Sequence, residues 1–299
     1  MIVKKLRMPL FVLSFALVLS NSQVALAEST VSQDSELTQQ TISEEVNGFG
    51  SLESLKADAK QLYESLSLKN VTNTTIEEKQ KIDEMANRIR AFYYSIAPAS
   101  FPPSGIVYFQ YFETELSKNI EVSLNLDTNL TASDLATGLL NSNTARDAGV
   151  KYAKENGYGS ITWDNKPDAL RHFTWNYLNS QSFGTNKART IGDNHELALI
   201  GANWAKNQPN LTHNERVVYG TMYAKQFQKD SRQNDDMFFG LDNSTIMDLY
   251  NNSIGRQYSS KGFSGYIQAF NSAYDSNQLI GSPNQVTNNT RLKAWNAWQ

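Results

Sequence analysis

Three histidines occur in this chain, and two of them stand inside acidic, polar motifs: Asp168-Ala-Leu-Arg171-His172-Phe-Thr-Trp175-Asn176 and Asp193-Asn194-His195-Glu196. Imidazole beside carboxylate is the pairing that binds divalent transition metals and moves protons near neutral pH. A third stretch, Met247-Asp248-Leu-Tyr-Asn251-Asn252-Ser-Ile-Gly255-Arg256, repeats the polar spacing of the first. Whether this chain does chemistry depends on whether three helices bring these groups to one point.

At about 100° per residue, Asp168, Arg171, His172, Trp175 and Asn176 share one stripe of a helix, and Ala169, Phe173 and Tyr177 another. A merely solvated stripe would carry Lys and Glu, not Asp, His and Asn around a Trp. His195 shares its stripe with Ala188, Ile191, Gly192, Ala198, Leu199 and Ala202, all apolar or small. That turns the imidazole inward and lets a neighbouring helix approach closely, with Glu196 at the margin. Asp248, Asn251, Asn252, Gly255 and Arg256 form the third stripe, at the offsets of the first.

Brought together, the three helices would offer Asp168, His172, His195 and Asp248 as metal ligands and Glu196 as a general base. Asn176, Asn252, Asn251 and Trp175 would surround those ligands. Mixed imidazole and carboxylate ligands suit zinc, manganese or iron, so the expected cofactor is a divalent transition metal, zinc or manganese. Such an ion lowers the pKa of a bound water toward about 7 and makes hydroxide available for hydrolysis. Arg171 and Arg256 add guanidinium forks that match phosphate or carboxylate oxygens, which points to an anionic substrate and possible use on a phosphoester. The same two arginines would equally serve to brace the carboxylates of the cluster.

Two other readings use these residues. In one, His172 and His195 act as a general acid and base without a metal, beside Arg171, as in toxin-type nucleases. In the other, the polar groups form a buried network that specifies helix packing in a non-enzymatic binding module. His213 stays outside all three, because Thr212-His-Asn-Glu215 is a capping box that accounts for its place in the first turn of a helix. The chain has no Gly-x-Ser-x-Gly elbow, His-Glu-x-x-His pair, Walker loop or Gly-x-Gly-x-x-Gly turn. Serine esterases, zincin peptidases and nucleotide-binding enzymes are therefore disfavoured.

The elements that would position these groups read as helices, giving a mainly α chain: an irregular helical bundle with an N-terminal helical hairpin. Leu52, Leu55, Ala59, Leu62 and Leu66 recur at helical spacing, and Thr75-Ile-Glu-Glu78 opens a second helix to about Ile96. Ala97-Pro98 and Phe101-Pro102-Pro103-Ser104-Gly105 break the pattern, dividing a module over 49–100 from a domain over 101–299 that carries the motifs. Ile106 to Leu126 fits a strand or a buried helix equally well. Ala132 to Asn156 reads as one or two short helices, and Pro167 as the first residue of the motif helix, with Asp164 or Lys166 just before it. Further helices are expected at about 187–206, 213–229, 244–258 and 263–278, with the Asn-rich 284–290 stretch as a solvated loop.

Lys4, Lys5 and Arg7, the apolar run from Pro9 to Ser20 and Ala25-Leu26-Ala27 fit a secretory signal over residues 1–27. The polar residues 28–48 read as a disordered leader. An exported, extracellular or envelope-associated protein is expected. Taking those three basic residues from 27 leaves 24 against 30 acidic ones, a net charge of −6 after cleavage. General attraction to nucleic acid or anionic membrane is thus not expected. With no cysteine, neither disulfides nor thiolate chemistry is available, and any metal must use His, Asp, Glu or Asn.

In this order the three motifs resemble those of an uncharacterised bacterial domain family, found in secreted proteins and at the C-terminal ends of polymorphic toxin-like proteins. The family pattern is Asp-Ala-x-Arg-His-x-x-Trp-Asn, then His-Glu, then Met-Asp-x-x-Asn-Asn-x-x-Gly-Arg, and the resemblance covers about residues 145–260. Leu170 stands where that pattern carries Phe, a change of packing only. The resemblance implies a shared polar site and supplies no reaction.

Overall fold

Helices begin here where a side chain can satisfy the first free backbone N–H groups, and most of the long ones carry such a cap. Ser51 opens α1 (Leu52–Ser65), and capping boxes at Thr75/Glu78, Thr131/Asp134 and Thr212/Glu215 open α2 (Ile76–Ile96), α4 (Ala132–Glu155) and α7 (His213–Gln233). Between them lie α3 (Glu115–Leu126), α5 (Lys166–Phe183) and α6 (Thr185–Lys206). After them come α8 (Asp235–Phe239), α9 (Asn243–Tyr258), α10 (Tyr266–Asp275), a 3-10 turn at Pro283–Gln285 and α11 (Asn288–Trp298). The computed structural model describes residues 49–68, 71–97 and 115–299, and no strand occurs among them. The expected signal and leader (1–48), and the segment from 98 to 114 with its Pro-rich break, lie outside the described residues.

Two helices form the middle of the bundle. α5 packs against α4, α6, α9 and α10, while α6 packs against α3, α5, α7 and α9. One continuous core runs through them, with Leu55, Ile89, Ile120, Phe173, Leu197, Val218, Ile246 and Phe270 among its buried members. Burying one such side chain contributes about 1.5–3 kcal/mol. The hairpin α1–α2 packs on α3 and α7, and all the described residues belong to one compact unit.

Several elements differ from the sequence reading for local reasons. α4 is one helix of 24 residues, because Gly138 and Gly149 sit where neighbours press on it and do not break it. α5 begins at Lys166, capped by Asn165, with Pro167 second in the helix and not first. Residues 235–239 and 288–298 are helical, opened by Asn234 and Thr287. Those caps were hidden in stretches whose polarity suggested loops. The larger difference concerns α5 and α9, each expected to show one polar and one apolar face. Both are buried nearly all round, so their polar stripes face other helices and not solvent.

α5 and α9 touch backbone to backbone. A Cβ at position 255 would collide with the Phe173 carbonyl oxygen and lie 3.0 Å from the Phe173 Cα. Neither atom can yield without moving a helix. Gly255→Ala is expected to cost about 1–3 kcal/mol by overpacking, read as a lower denaturation midpoint with an unchanged slope. Wild-type stability in that variant would show that the two helices are not held this closely.

Candidate metal centre

Residues eighty apart meet across the α5–α9 seam: His172 with Asn252, and Asn176 with Arg256. The two helices therefore run side by side in the same direction, and their equal polar offsets come into register. Asp168 and Asp248, also eighty apart, close on the same imidazole. His172 Nε2 lies 3.6 Å from Asp168 Oδ1 and 3.4 Å from Asp248 Oδ1. One ligand atom from each of these three buried residues lies within 4.8 Å of the others, a group able to hold a metal ion. Bonds of about 2.1 Å to a tetrahedral ion would separate ligand atoms by about 3.4 Å.

The other ring nitrogen has an orientation dictated from further along the helices. Arg256 can only donate, and its Nη1 gives a 2.8 Å hydrogen bond to Asn176 Oδ1. Asn176 must then turn its amide nitrogen outward, and Nδ2 donates to Asn252 Oδ1 at 2.6 Å. Asn252 Oδ1 thus faces His172 Nδ1, 3.2 Å away, as an acceptor, while its own Nδ2 donates to Glu196 Oε1 at 3.3 Å. The proton of a neutral His172 is thereby assigned to Nδ1, with Glu196 Oε1 a further 3.6 Å neighbour of that nitrogen. Its lone pair sits on Nε2, facing two carboxylates. Such a ring needs a second proton, a protonated acid facing it, or a cation between it and the acids.

The carboxylates are unequally supported. Asp168 accepts from the Asp164 backbone N–H at 2.7 Å, and from Arg171 Nε and Nη2 at 3.2 and 2.7 Å. Even so, burial outweighs Arg171 and holds its pKa above the usual carboxylate range. Asp248 has less: its buried Oδ1 takes no hydrogen bond. Burial, then the charges of Asp168 and Glu196, push its pKa well up. Burial raises Glu196 to about 7, against the pull of His195, the charged Arg171 and the Asn252 hydrogen bond. Three buried acids around one imidazole cost several kcal/mol when ionised unless a cation compensates.

The four consecutive residues 193–196 project in different directions from α6 and reach different helices. Asp193 pairs with Arg189 at 3.3 Å and its carboxyl is raised by burial, with Arg256 opposing. Asn194 donates to Asn125 Oδ1 at 2.8 Å, and Glu196 faces His172 and Asn252. His195 Nδ1 lies 2.9 Å from Glu121 Oε2, and its ring stands edge-on to Trp175, whose Nε1 donates to the Gly138 carbonyl at 2.9 Å. The rings of His172 and His195 are 6.2 Å apart. Gly192 makes room for this arrangement, since a Cβ there would fall 2.7 Å from Asn176 Oδ1. His172, His195, Arg171 and Trp175 all line one cleft.

Of the four expected metal ligands, Asp168, His172 and Asp248 thus gather, while His195 is turned to Glu121 and does not join them. Glu196 lies on the Nδ1 side of His172, away from the ligand group, where it orients the ring. Arg256 is buried between Asn176 and Asp193 and does not line the cleft, whereas Arg171 both grips Asp168 and lines it. Asn176 and Asn252 carry the tautomer relay, and Trp175 walls the cleft. Asn251 works elsewhere: its amide exchanges two hydrogen bonds with the Ile280 backbone at 2.9 and 3.0 Å, fixing the chain after α10. Glu121 was missed because α3 lay in the ambiguous 106–126 stretch. Its signal was the helical pair Glu121 and Asn125, one turn apart, matching His195 and Asn194. His213 occupies the capped first turn of α7 as expected.

Residues 133–280 match the model of a family described as a domain of unknown function (DUF6973), a span that includes Asp168, His172, His195, Glu196 and Asp248 but not Glu121. The expected resemblance to an uncharacterised domain family thus has a counterpart in this match. No curated protein and no solved structure matches the chain.

Two outcomes follow from this geometry. Between about pH 4.5 and 7, folded Glu196 holds its proton more tightly than the unfolded chain does. Metal-free protein should therefore lose stability as pH rises through that window, on the order of 3 kcal/mol from this group. Urea titrations in chelator at pH 5 and pH 7.5 would read it, and equal or greater stability at pH 7.5 would contradict it. Separately, Asn252→Leu removes the acceptor that assigns the His172 proton, whereas Asn252→Asp keeps it. Competition with a chromophoric chelator should show zinc binding weakened about 10- to 100-fold in the first variant and largely retained in the second. Equal binding by wild type and both variants would remove the orienting role.

Proposed function

We propose that this chain is an exported, metal-dependent hydrolase acting on an anionic ester, with a phosphoester as the preferred class. The observation that carries the reading is the Nε2 lone pair of His172 facing Asp168 and Asp248 at 3.6 and 3.4 Å, in a buried pocket of raised carboxyl pKa values. These three residues would hold a zinc or manganese ion, which supplies a bound water acidic enough to attack at neutral pH. The chain's own residues do the rest. Glu196 and Asn252 keep His172 oriented, Arg171 offsets the negative charge of Asp168 and faces the cleft, and His195, held by Glu121, presents an imidazole to the cleft for proton transfer.

A second reading is favoured by a specific feature: both imidazoles line one cleft, and each has its own carboxylate, Glu121 at 2.9 Å and Glu196 at 3.6 Å. Such a pair would serve acid–base catalysis without a metal, as in toxin-type nucleases.

Metal content and hydrolysis of bis(4-nitrophenyl) phosphate separate the two. Purified protein is expected to carry about one zinc or manganese per chain, to lose its activity and some thermal stability in chelator, and to regain both on adding the metal. His172→Ala and Asp248→Asn should abolish metal retention. Absence of bound metal, with no change of melting temperature on adding zinc or manganese, would reject the first reading. Activity that survives chelator but is lost in His172→Ala and in His195→Ala would establish the second.

A further inference from the structure

The pairing across the α5–α9 seam continues one step beyond the metal ligands, toward the surface. Asp164 and Ser244 are again eighty apart, and the Ser244 hydroxyl donates to Asp164 Oδ1. Positions 164, 168, 172 and 176 thus stand opposite 244, 248, 252 and 256, at intervals of one helical turn. Asp164 immediately precedes Asn165, the cap of α5, and is exposed, whereas Asp168 and Asp248 are buried. Its backbone is left-handed, with φ at 55°. Residues with a Cβ rarely adopt that conformation, and Asp and Asn tolerate it best among them. Glycine would adopt it without strain, so the turn alone does not account for a carboxylate here.

Two hydrogen bonds do. The Asp164 N–H donates to Asp168 Oδ2 at 2.7 Å, while the Asp168 N–H donates to Asn165 Oδ1 at 3.1 Å. In a capping box the third helical residue reaches back to the N–H of the cap itself. Asp168 reaches one residue further, to the left-handed Asp164. The carboxylate of Asp164 meanwhile takes Ser244, in the first turn of α9 and four residues before Asp248. One residue therefore grips both ligand helices, through its backbone on one side and its side chain on the other. Burial raises the pKa of Asp168 and of Asp248, and the charge of Asp164 adds to the rise in both, which puts this carboxylate close to each of them.

We propose that Asp164 is a positioning residue of the metal centre: it latches the first turns of α5 and α9 together and so sets the spacing of Asp168 and Asp248 around the ion. The consequence for the ion rests on the metal reading above and deepens it by naming what holds the two carboxylates in place.

Three variants test the latch. Asp164→Gly keeps the left-handed backbone and its N–H but removes the acceptor, Ser244→Ala removes the donor, and Asp164→Asn keeps both the conformation and an oxygen for Ser244. In metal-free protein, amide hydrogen exchange in the first turns of α5 and α9 should be faster in the first two variants and match wild type in the third. Competition with a chromophoric chelator should show zinc held about tenfold or more weakly in the first two and largely retained in the third. Zinc affinity equal to wild type in Asp164→Gly and Ser244→Ala would overturn the assignment. So would equal loss in all three, which would make the charge of Asp164, and not its bond to Ser244, the active feature. Wild-type protein that binds neither zinc nor manganese rejects the metal reading, and exchange then decides the latch by itself. The variant pattern supports it, and exchange identical in all four proteins rejects it.

Discussion

The organisation of this domain turns on one imidazole that cannot be neutral and comfortable at the same time. Arg256, a pure donor, fixes Asn176. Asn176 fixes Asn252, and Asn252 places the proton of His172 on Nδ1. The lone pair left on Nε2 then confronts Asp168 and Asp248. In water such a conflict would be resolved by solvation, but His172 is 1% exposed. A protonated ring, protonated acids or a bound cation are the remaining solutions, and the raised carboxyl pKa values report the protein without the last of these.

Everything else in the bundle serves to keep those groups from separating. α5 and α9 run in the same direction with backbones in contact at Gly255, so a polar pattern repeated at equal offsets becomes a set of facing pairs. α6 fills the third side. Its four adjacent polar residues distribute themselves among Arg189, Asn125, Glu121 and the His172 network, which ties α3 and α9 to the same point. Relaxing the conflict by moving one carboxylate away would require a helix to move. A buried polar network of this kind is costly to disturb. Asp248 Oδ1, buried and accepting no hydrogen bond, marks where a further ligand would be accommodated.

Much of this was legible before any coordinates. Equal spacing of Asp168, His172 and Asn176 with Asp248, Asn252 and Arg256 implied two helices presenting matched groups, and small residues around His195 implied close approach. What could not be read was which face was outside. Helical periodicity assumes a solvated side, and α5 and α9 have almost none, so Arg256 was placed toward substrate when it lies in the interior beside Asp193. His195 was grouped with the metal ligands for a related reason: its partner Glu121 lay in a stretch whose period was ambiguous. α11 escaped notice because Thr287, its cap, sits within an Asn-rich run that mimics a loop. Pairings across the bundle depend on α3 and α4, which carry no conspicuous motif.

The most direct test is a crystal of the protein soaked in zinc and measured at the zinc absorption edge. The account expects one anomalous peak at about 2.0–2.2 Å from His172 Nε2 and from a carboxylate oxygen of each of Asp168 and Asp248, with His172 Nδ1 still within hydrogen-bond distance of Asn252 Oδ1. No peak at that position, or a peak bound instead by His195 and Glu121, would contradict it.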